Sequence, residues 1–136
     1  MAKFDDWNIV KKVTDQNTRT IGIKPREIFW AKIGENVGYE QNGKGENFAR
    51  PVIIVKKLTH ELFLGIPLSN TIRPDSDYFH AFEYHNTANG LVTNSALILQ
   101  TKVFSIKRLM NKTGIVDKDN FDLILEKGKS LFSPTP

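Results

Sequence analysis

The sequence predicts a small α+β domain built around a mostly antiparallel β-barrel with peripheral helices. Three observations predict it. Short runs rich in Val, Ile, Phe and Tyr recur along the middle of the chain, clusters of Gly, Asn, Pro and Asp separate them, and a longer helical pattern comes only near the end. At 136 residues, with 40% hydrophobic and 25% charged side chains, the chain suits one packed core and has neither a disordered nor a membrane-type composition.

Residues 4 to 16 place Phe4, Trp7, Val10 and Val13 at three-residue spacing, one apolar face of a short helix, with Asp5 and Asp6 near its positive end. Gln16 to Pro25 is polar and poorly periodic and reads as a linker. The expected organisation is a helical arm over 1–25 and a main domain over 26–136. β-type runs follow at Glu27 to Ile33, Pro51 to Lys57, Leu62 to Leu68, Asp77 to Tyr84, Gly90 to Leu99 and Lys112 to Val116. Ser105 to Asn111 predicts one or two helical turns, with Ser105 as N-cap and Ile106 and Leu109 on one side. Asp117 to Phe132 predicts a longer helix that buries Phe121, Ile124 and Leu125 and is weakened by Gly128. The tail Ser133 to Pro136 cannot continue it.

Composition excludes several chemistries. Without cysteine there is no disulfide framework, thiolate nucleophile or sulfur-ligated zinc. The opening residues are acidic where a secretion signal needs a basic end, and no apolar stretch approaches the ~18 residues of a membrane span. The expectation is a cytoplasmic protein with no membrane partner. A net charge of +4 and a pI near 9.3 favour an acidic partner, nucleic acid being the commonest, although a mildly basic surface also serves solubility alone.

Motifs narrow the choice further. Gly38 to Gly45 has the two glycines and the lysine of a phosphate loop. However, Gly45 stands where a Ser or Thr must hold magnesium, and the segment leads into a β-run rather than a helix. His60, His80 and His85 lack the paired helical spacing of a zinc protease, so no metal site is expected. No Gly-x-Ser-x-Gly elbow occurs. The informative constellation is Arg50-Pro51-Val52-Ile53-Ile54-Val55 followed by Gly65-Ile66-Pro67-Leu68-Ser69. An arginine at the mouth of one strand, facing a hydroxyl at the end of the next, makes a phosphate clamp, because the guanidinium fork donates several hydrogen bonds to anionic oxygens. Spacing alone fits a structural arginine capping a barrel rim better.

Taken in order, Glu27-Ile28-Phe29-Trp30-Ala31-Lys32-Ile33-Gly34, Gly38-Tyr39-Glu40-Gln41, Arg50 to Val55, Ile66-Pro67-Leu68-Ser69 and Leu97-Ile98-Leu99-Gln100-Thr101-Lys102 resemble the motif series of PemK/MazF toxins. The likeness runs on through Lys107-Arg108-Leu109 and Lys112 to Ile115 and covers roughly residues 26 to 132. The arm beginning Phe4-Asp5-Asp6-Trp7 is similar to an extension found on some members. The resemblance implies an SH3-like barrel of the PemK/MazF/CcdB-like kind, a homodimer, and sequence-selective cleavage of single-stranded RNA without metal or cofactor. It also implies inhibition by an antitoxin segment that occupies the RNA groove, with DNA met only through that antitoxin.

Carried over residue by residue, Arg50 matches the family's catalytic arginine, and Ser69 stands where many members have a catalytic threonine. Glu40 and Gln41 match a Glu-Gln pair beside the site, and Gln100 and Lys102 match a Gln-x-Arg element lining the groove, with Lys replacing Arg. Another branch has a histidine where this chain has Tyr39 and an aspartate where it has Leu99, so that branch's acid and base set is absent. In the implied reaction the substrate's 2′-hydroxyl attacks the adjacent phosphorus, and the enzyme supplies a proton acceptor, a charge stabiliser and a donor to the leaving oxygen. Arg50 suits charge stabilisation, Ser69 orientation of the phosphate, and Glu40 proton acceptance if burial lifts its pKa.

Tyr39, Gln41, Lys44, Phe48, Gln100 and Lys102 are the expected RNA contacts, with Lys56, Lys57, Lys107 and Arg108 extending a basic track and Trp30 a further stacking candidate, although solvent-facing lysines are commonplace and the β-run around Trp30 favours core burial over stacking. Two other readings stay open. One is a non-catalytic toxin that binds a protein such as gyrase, and the other is a domain that binds RNA or an antitoxin without cutting.

Overall fold

The computed structural model describes residues 22–33 and 48–134. Seven strands form one curled antiparallel sheet: β1 Glu27–Lys32, β2 Ala49–Lys57, β3 Leu62–Ser69, β4 Phe79–Asn86, β5 Gly90–Leu97, β6 Lys102–Ser105 and β7 Leu109–Ile115. Among the described residues one α-helix, α1, spans Lys118–Ser130. The strand order is β4-β5-β3-β2-β1-β7, and β6 pairs with β3 off that path. The half-barrel with one helix is the α+β architecture the sequence predicts.

β3 is the hub. One of its edges carries β2, while the other carries β6 along Leu62 to Gly65 and β5 at Leu68 and Ser69. Gly65 sits at the crowded centre of this junction. A Cβ there would lie 2.7 Å from Val52 Cγ1 and 2.8 Å from Phe63 Cε2, so only glycine lets the layers close. The sheet curls until its edge strands meet, where Thr87 N donates to Thr113 O at 3.0 Å. Gly114 allows that approach, since a Cβ would fall 2.6 Å from Tyr84 Cδ2 and 2.9 Å from the His85 carbonyl. A cavity of about 470 Å³ opens along this seam, lined in part by Tyr84, His85, Leu91 and Ile115.

Period-two alternation divides the core between the two faces of the central strands. On one face Ile28, Ile53, Ile66, Leu68, Phe82, Tyr84 and Ala96 are sealed by Phe121 and Ile124 of α1. On the other, Phe29, Ala31, Val52, Ile54 and Phe63 pack with Ile23, Phe104 and Leu109. Phe63 and Phe104 stack with ring centroids 5.3 Å apart.

Several elements differ from the sequence expectation. The run expected at Asp77 to Tyr84 is shifted to Phe79–Asn86, because Ser76 and Asp77 belong to a polar turn in which Ser76 Oγ accepts from Tyr78 N. The run expected to Leu99 stops at Leu97 and becomes a 3-10 turn, Ile98–Gln100. β6 was not expected at all. The turns expected over Ser105 to Asn111 shrink to one 3-10 turn, Ile106–Arg108, with Ser105 Oγ capping Lys107 N as predicted, and Leu109 already opens β7. α1 is capped by Asp117, whose side chain accepts from Asn120 N, and buries Phe121 and Ile124. The helical arm expected over residues 4 to 16 lies outside the described residues. Ile23, on the expected linker, already packs in the second core cluster.

Candidate functional site

Arg50 stands near the start of β2 beside Ala31 of β1. It shares the strand face of Val52 and Ile54, opposite the face under α1. The β2–β3 ladder ends at the pair Val52–Pro67, and Arg50 and Ser69 each lie two residues beyond that pair on their own strands, at the same end and on the same face. Ser69 in turn pairs with Ser95 of β5, and Ser95 with Ala81 of β4. Ser69, Ser95 and Ala81 therefore form one row across three strands, and the Ala31–Arg50 pair lies at the same end of the sheet. Among these five residues, small side chains and hydroxyls accompany one long cation.

The hydroxyls of the row have defined roles. Ser69 Oγ accepts from Thr71 N at 3.1 Å, which leaves its own O–H available to donate. Ser95 is fully buried and its Oγ accepts from Arg73 N at 3.2 Å, pulling the loop after β3 back over the rim. Arg50 is half-buried, and its guanidinium carbon lies 5.1 Å from the Phe48 ring centroid. Burial first, and the charge of Arg73 second, hold the Arg50 pKa below its usual value. The guanidinium nevertheless stays charged across physiological pH, so Arg50 serves as an anion ligand rather than a base. Arg108 joins the same rim from the other side, donating from Nη1 to the Lys32 carbonyl at 3.3 Å.

The remaining expected site residues divide into three groups. Tyr39, Glu40, Gln41 and Lys44 lie outside the described residues. Phe48 sits beside Arg50, as its stacking shows. Gln100, at the end of the 3-10 turn, and Lys102, on β6, are both exposed, and Lys102 lies farther along the sheet. Lys102 pairs with Gly65, which pairs with Ile54, roughly 13 Å along β2 from Arg50 at the usual rise per residue. Its ammonium rests 5.1 Å from the Phe104 ring centroid, on the same face as Arg50.

Lys56 and Lys57 fall at the opposite end of β2, so the basic track does not reach the rim through them. Trp30 alternates onto the Ile28 face, away from Arg50, which removes it as a base-stacking partner at this rim. Sequence reasoning missed Arg73 altogether. The only signal for it was an arginine in the polar stretch directly after the strand-end serine, and such a signal is too common to single out. Among the described residues, no group of three His, Asp or Glu side chains is placed to hold a metal ion.

Comparison with known proteins agrees with this architecture. Residues 24–132 match the family described as PemK-like, MazF-like toxin of type II toxin-antitoxin system. The chain belongs to this family. Among solved structures, the Mycobacterium tuberculosis toxin MazF-mt6 is similar in fold, with a TM-score of 0.58 at 17% sequence identity. The match covers 82% of this chain and 100% of that one. Comparison with curated proteins gives no match. Within the PemK/MazF frame, the Arg50 rim is the part of the surface where the resemblance in sequence and the cationic geometry coincide. Among the described residues no helix is long and apolar enough to cross a membrane.

Proposed function

We propose that this PemK/MazF toxin is an endoribonuclease that cleaves single-stranded RNA at the Arg50 rim without a metal ion. What supports this reading is the position of Arg50 and Ser69 just beyond the same end of the β2–β3 ladder and on one face, with the charge of Arg73 also acting on Arg50. A phosphodiester laid over the rim accepts in-plane hydrogen bonds from Arg50 and one from Ser69.

The chemistry balances without a cofactor. The 2′-oxygen forms a bond to phosphorus as its proton passes to a base, the bond to the 5′-oxygen breaks, and a proton reaches that leaving oxygen. The products are a 2′,3′-cyclic phosphate and a 5′-hydroxyl. Arg50 acts on the step at which phosphorus gains a second negative charge, where a preoriented cation contributes most. Glu40, in the segment between β1 and β2, is the proton acceptor of this reading. Phe48 offers a ring to an unpaired base beside the site, and Lys102 and Gln100 extend contact along the strand. An antitoxin segment that fills the same cationic rim with carboxylates would block RNA entry, and a homodimer would present two such rims.

The test is direct. Purified protein incubated with mixed-sequence RNA in EDTA is expected to give discrete fragments ending in 2′,3′-cyclic phosphate. RNA binding without fragments, or no RNA binding together with blocked gyrase supercoiling, would overturn the nuclease reading.

A further inference from the structure

The loop between β3 and β4 carries a second cation to the rim, and three observations on it converge. The Arg73 backbone is tied to the site by its N–H bond to Ser95 Oγ, and Ser95 is the direct partner of Ser69. Its guanidinium carbon lies 5.2 Å from the Phe79 ring centroid, just as that of Arg50 lies 5.1 Å from Phe48. A guanidinium stacked in this way keeps its edge N–H donors free to bind in its own plane.

The third observation concerns charge. The nearest carboxylate in sequence, Asp75, is engaged elsewhere. Its Oδ1 accepts from Lys127 Nζ of α1 at 2.8 Å and lies 3.6 Å from His80 Nδ1. His80 is itself fixed by Nε2 on Asn120 Oδ1 at 2.7 Å, and Asn120 by donating from Nδ2 to Asp117 Oδ1. Among the described residues, no carboxylate forms an ion pair with either Arg50 or Arg73. The loop is thus clamped to α1 and β4 by its own acid, while its arginine, tied through its backbone to Ser95, remains at the rim.

Cations gathered at one rim repel, and an anion bound among them relieves that repulsion. The charge of Arg73, after burial, lowers the Arg50 pKa, in keeping with their common end of the sheet. The geometry points to Arg73 as a second phosphate-binding guanidinium that, together with Arg50 and Ser69, brackets the scissile phosphodiester. The inference rests on the nuclease reading and deepens it. The substrate group is a phosphodiester that gains charge during reaction, and a pair of cations favours that doubly charged state over the singly charged ground state. Lys127, Asp75 and His80 are then positioning residues, acting through the loop that holds Arg73.

The experiment compares wild type with Arg73→Ala and Arg73→Gln, the latter keeping part of the side-chain stem over Phe79. The readouts are the single-turnover rate at saturating RNA, the salt dependence of binding to an RNA blocked by 2′-deoxy at the cleaved position, and Tm. Both variants are expected to cleave roughly ten- to a hundred-fold more slowly. The slope of log K against log salt is expected to shrink by about 0.7, one phosphate contact on a single strand, at unchanged Tm. Arg73→Lys should restore most of the salt slope and only part of the rate, since an ammonium is a point charge without the fork. Wild-type rate with wild-type slope in both variants would overturn the proposal. So would a lost slope at an undiminished rate, which places Arg73 on a flanking phosphate. Absence of cleavage by the wild type itself would overturn the nuclease reading, and the salt slope would then decide separately whether Arg73 binds phosphate.

Discussion

The two faces of the central strands are built from the same few segments and perform opposite tasks. Beneath α1, Ile53, Ile66, Leu68 and Ile124 are almost wholly shielded from water, and shape and burial are all that matters there. At the rim of the other face, Arg50, Ser69 and Arg73 place charge and hydroxyls where water and a ligand can reach them. Leu68 and Ser69 are adjacent in sequence, yet one packs in the core and the other faces the candidate site, because the strand turns each successive side chain to the other face. The difference teaches that stability and chemistry are separable here: substitutions on the α1 face should change Tm, and substitutions at the rim should change rate.

The sharpest break of that separation would come from Ile124. Truncating it to Ala removes a fully buried side chain between α1 and the sheet and is expected to destabilise the fold by about 3 kcal/mol. Chemical denaturation measures the loss, and the cleavage rate per folded molecule should stay at the wild-type value. A smaller effect is expected at the seam. Gly114→Ala forces a Cβ against Tyr84 and the His85 carbonyl and should lower stability by about 2 kcal/mol, read as a drop in denaturation midpoint.

Asp117→Ala removes the N-cap of α1 and the anchor of Asn120, for about 1 kcal/mol by the same measurement. The smallest effect is titration. Asp75, held low chiefly by its hydrogen bond from Lys127, and Asp117, held low by Asn120, both have folded pKa values below the unfolded one. Their contribution to stability is therefore complete above about pH 4 and fades as pH falls through the folded values. A Tm series through the acid range should show this fading, and Asp75→Asn should flatten part of it.

Much of the fold was legible in the sequence because β-type runs bounded by turn residues carry their own signal. β6 was not, since Lys102 to Ser105 is four residues long and earns its pairing only from the free edge of β3. The shift of β4 to Phe79–Asn86 was hidden for a similar reason. His85 and Asn86 look like turn residues until the β5 partner Leu91 and Gly90 fix them in the ladder. At the candidate site, the strand-end positions of Arg50 and Ser69 were legible in the sequence, and their proposed role comes from the ordered motifs. Arg73 was not, because nothing local marks a loop arginine whose role depends on a bond to Ser95, 22 residues away.

The most direct test of the account is a double-mutant cycle on Arg50 and Ser69, followed as single-turnover RNA cleavage in EDTA. Arg50→Ala is expected to slow cleavage by about a hundred- to a thousand-fold at unchanged Tm. Adding Ser69→Ala should then slow it by less than that change does in the parent, since both side chains serve one phosphate. Arg50→Ala cleaving at the parental rate, or two effects that simply multiply, would contradict it.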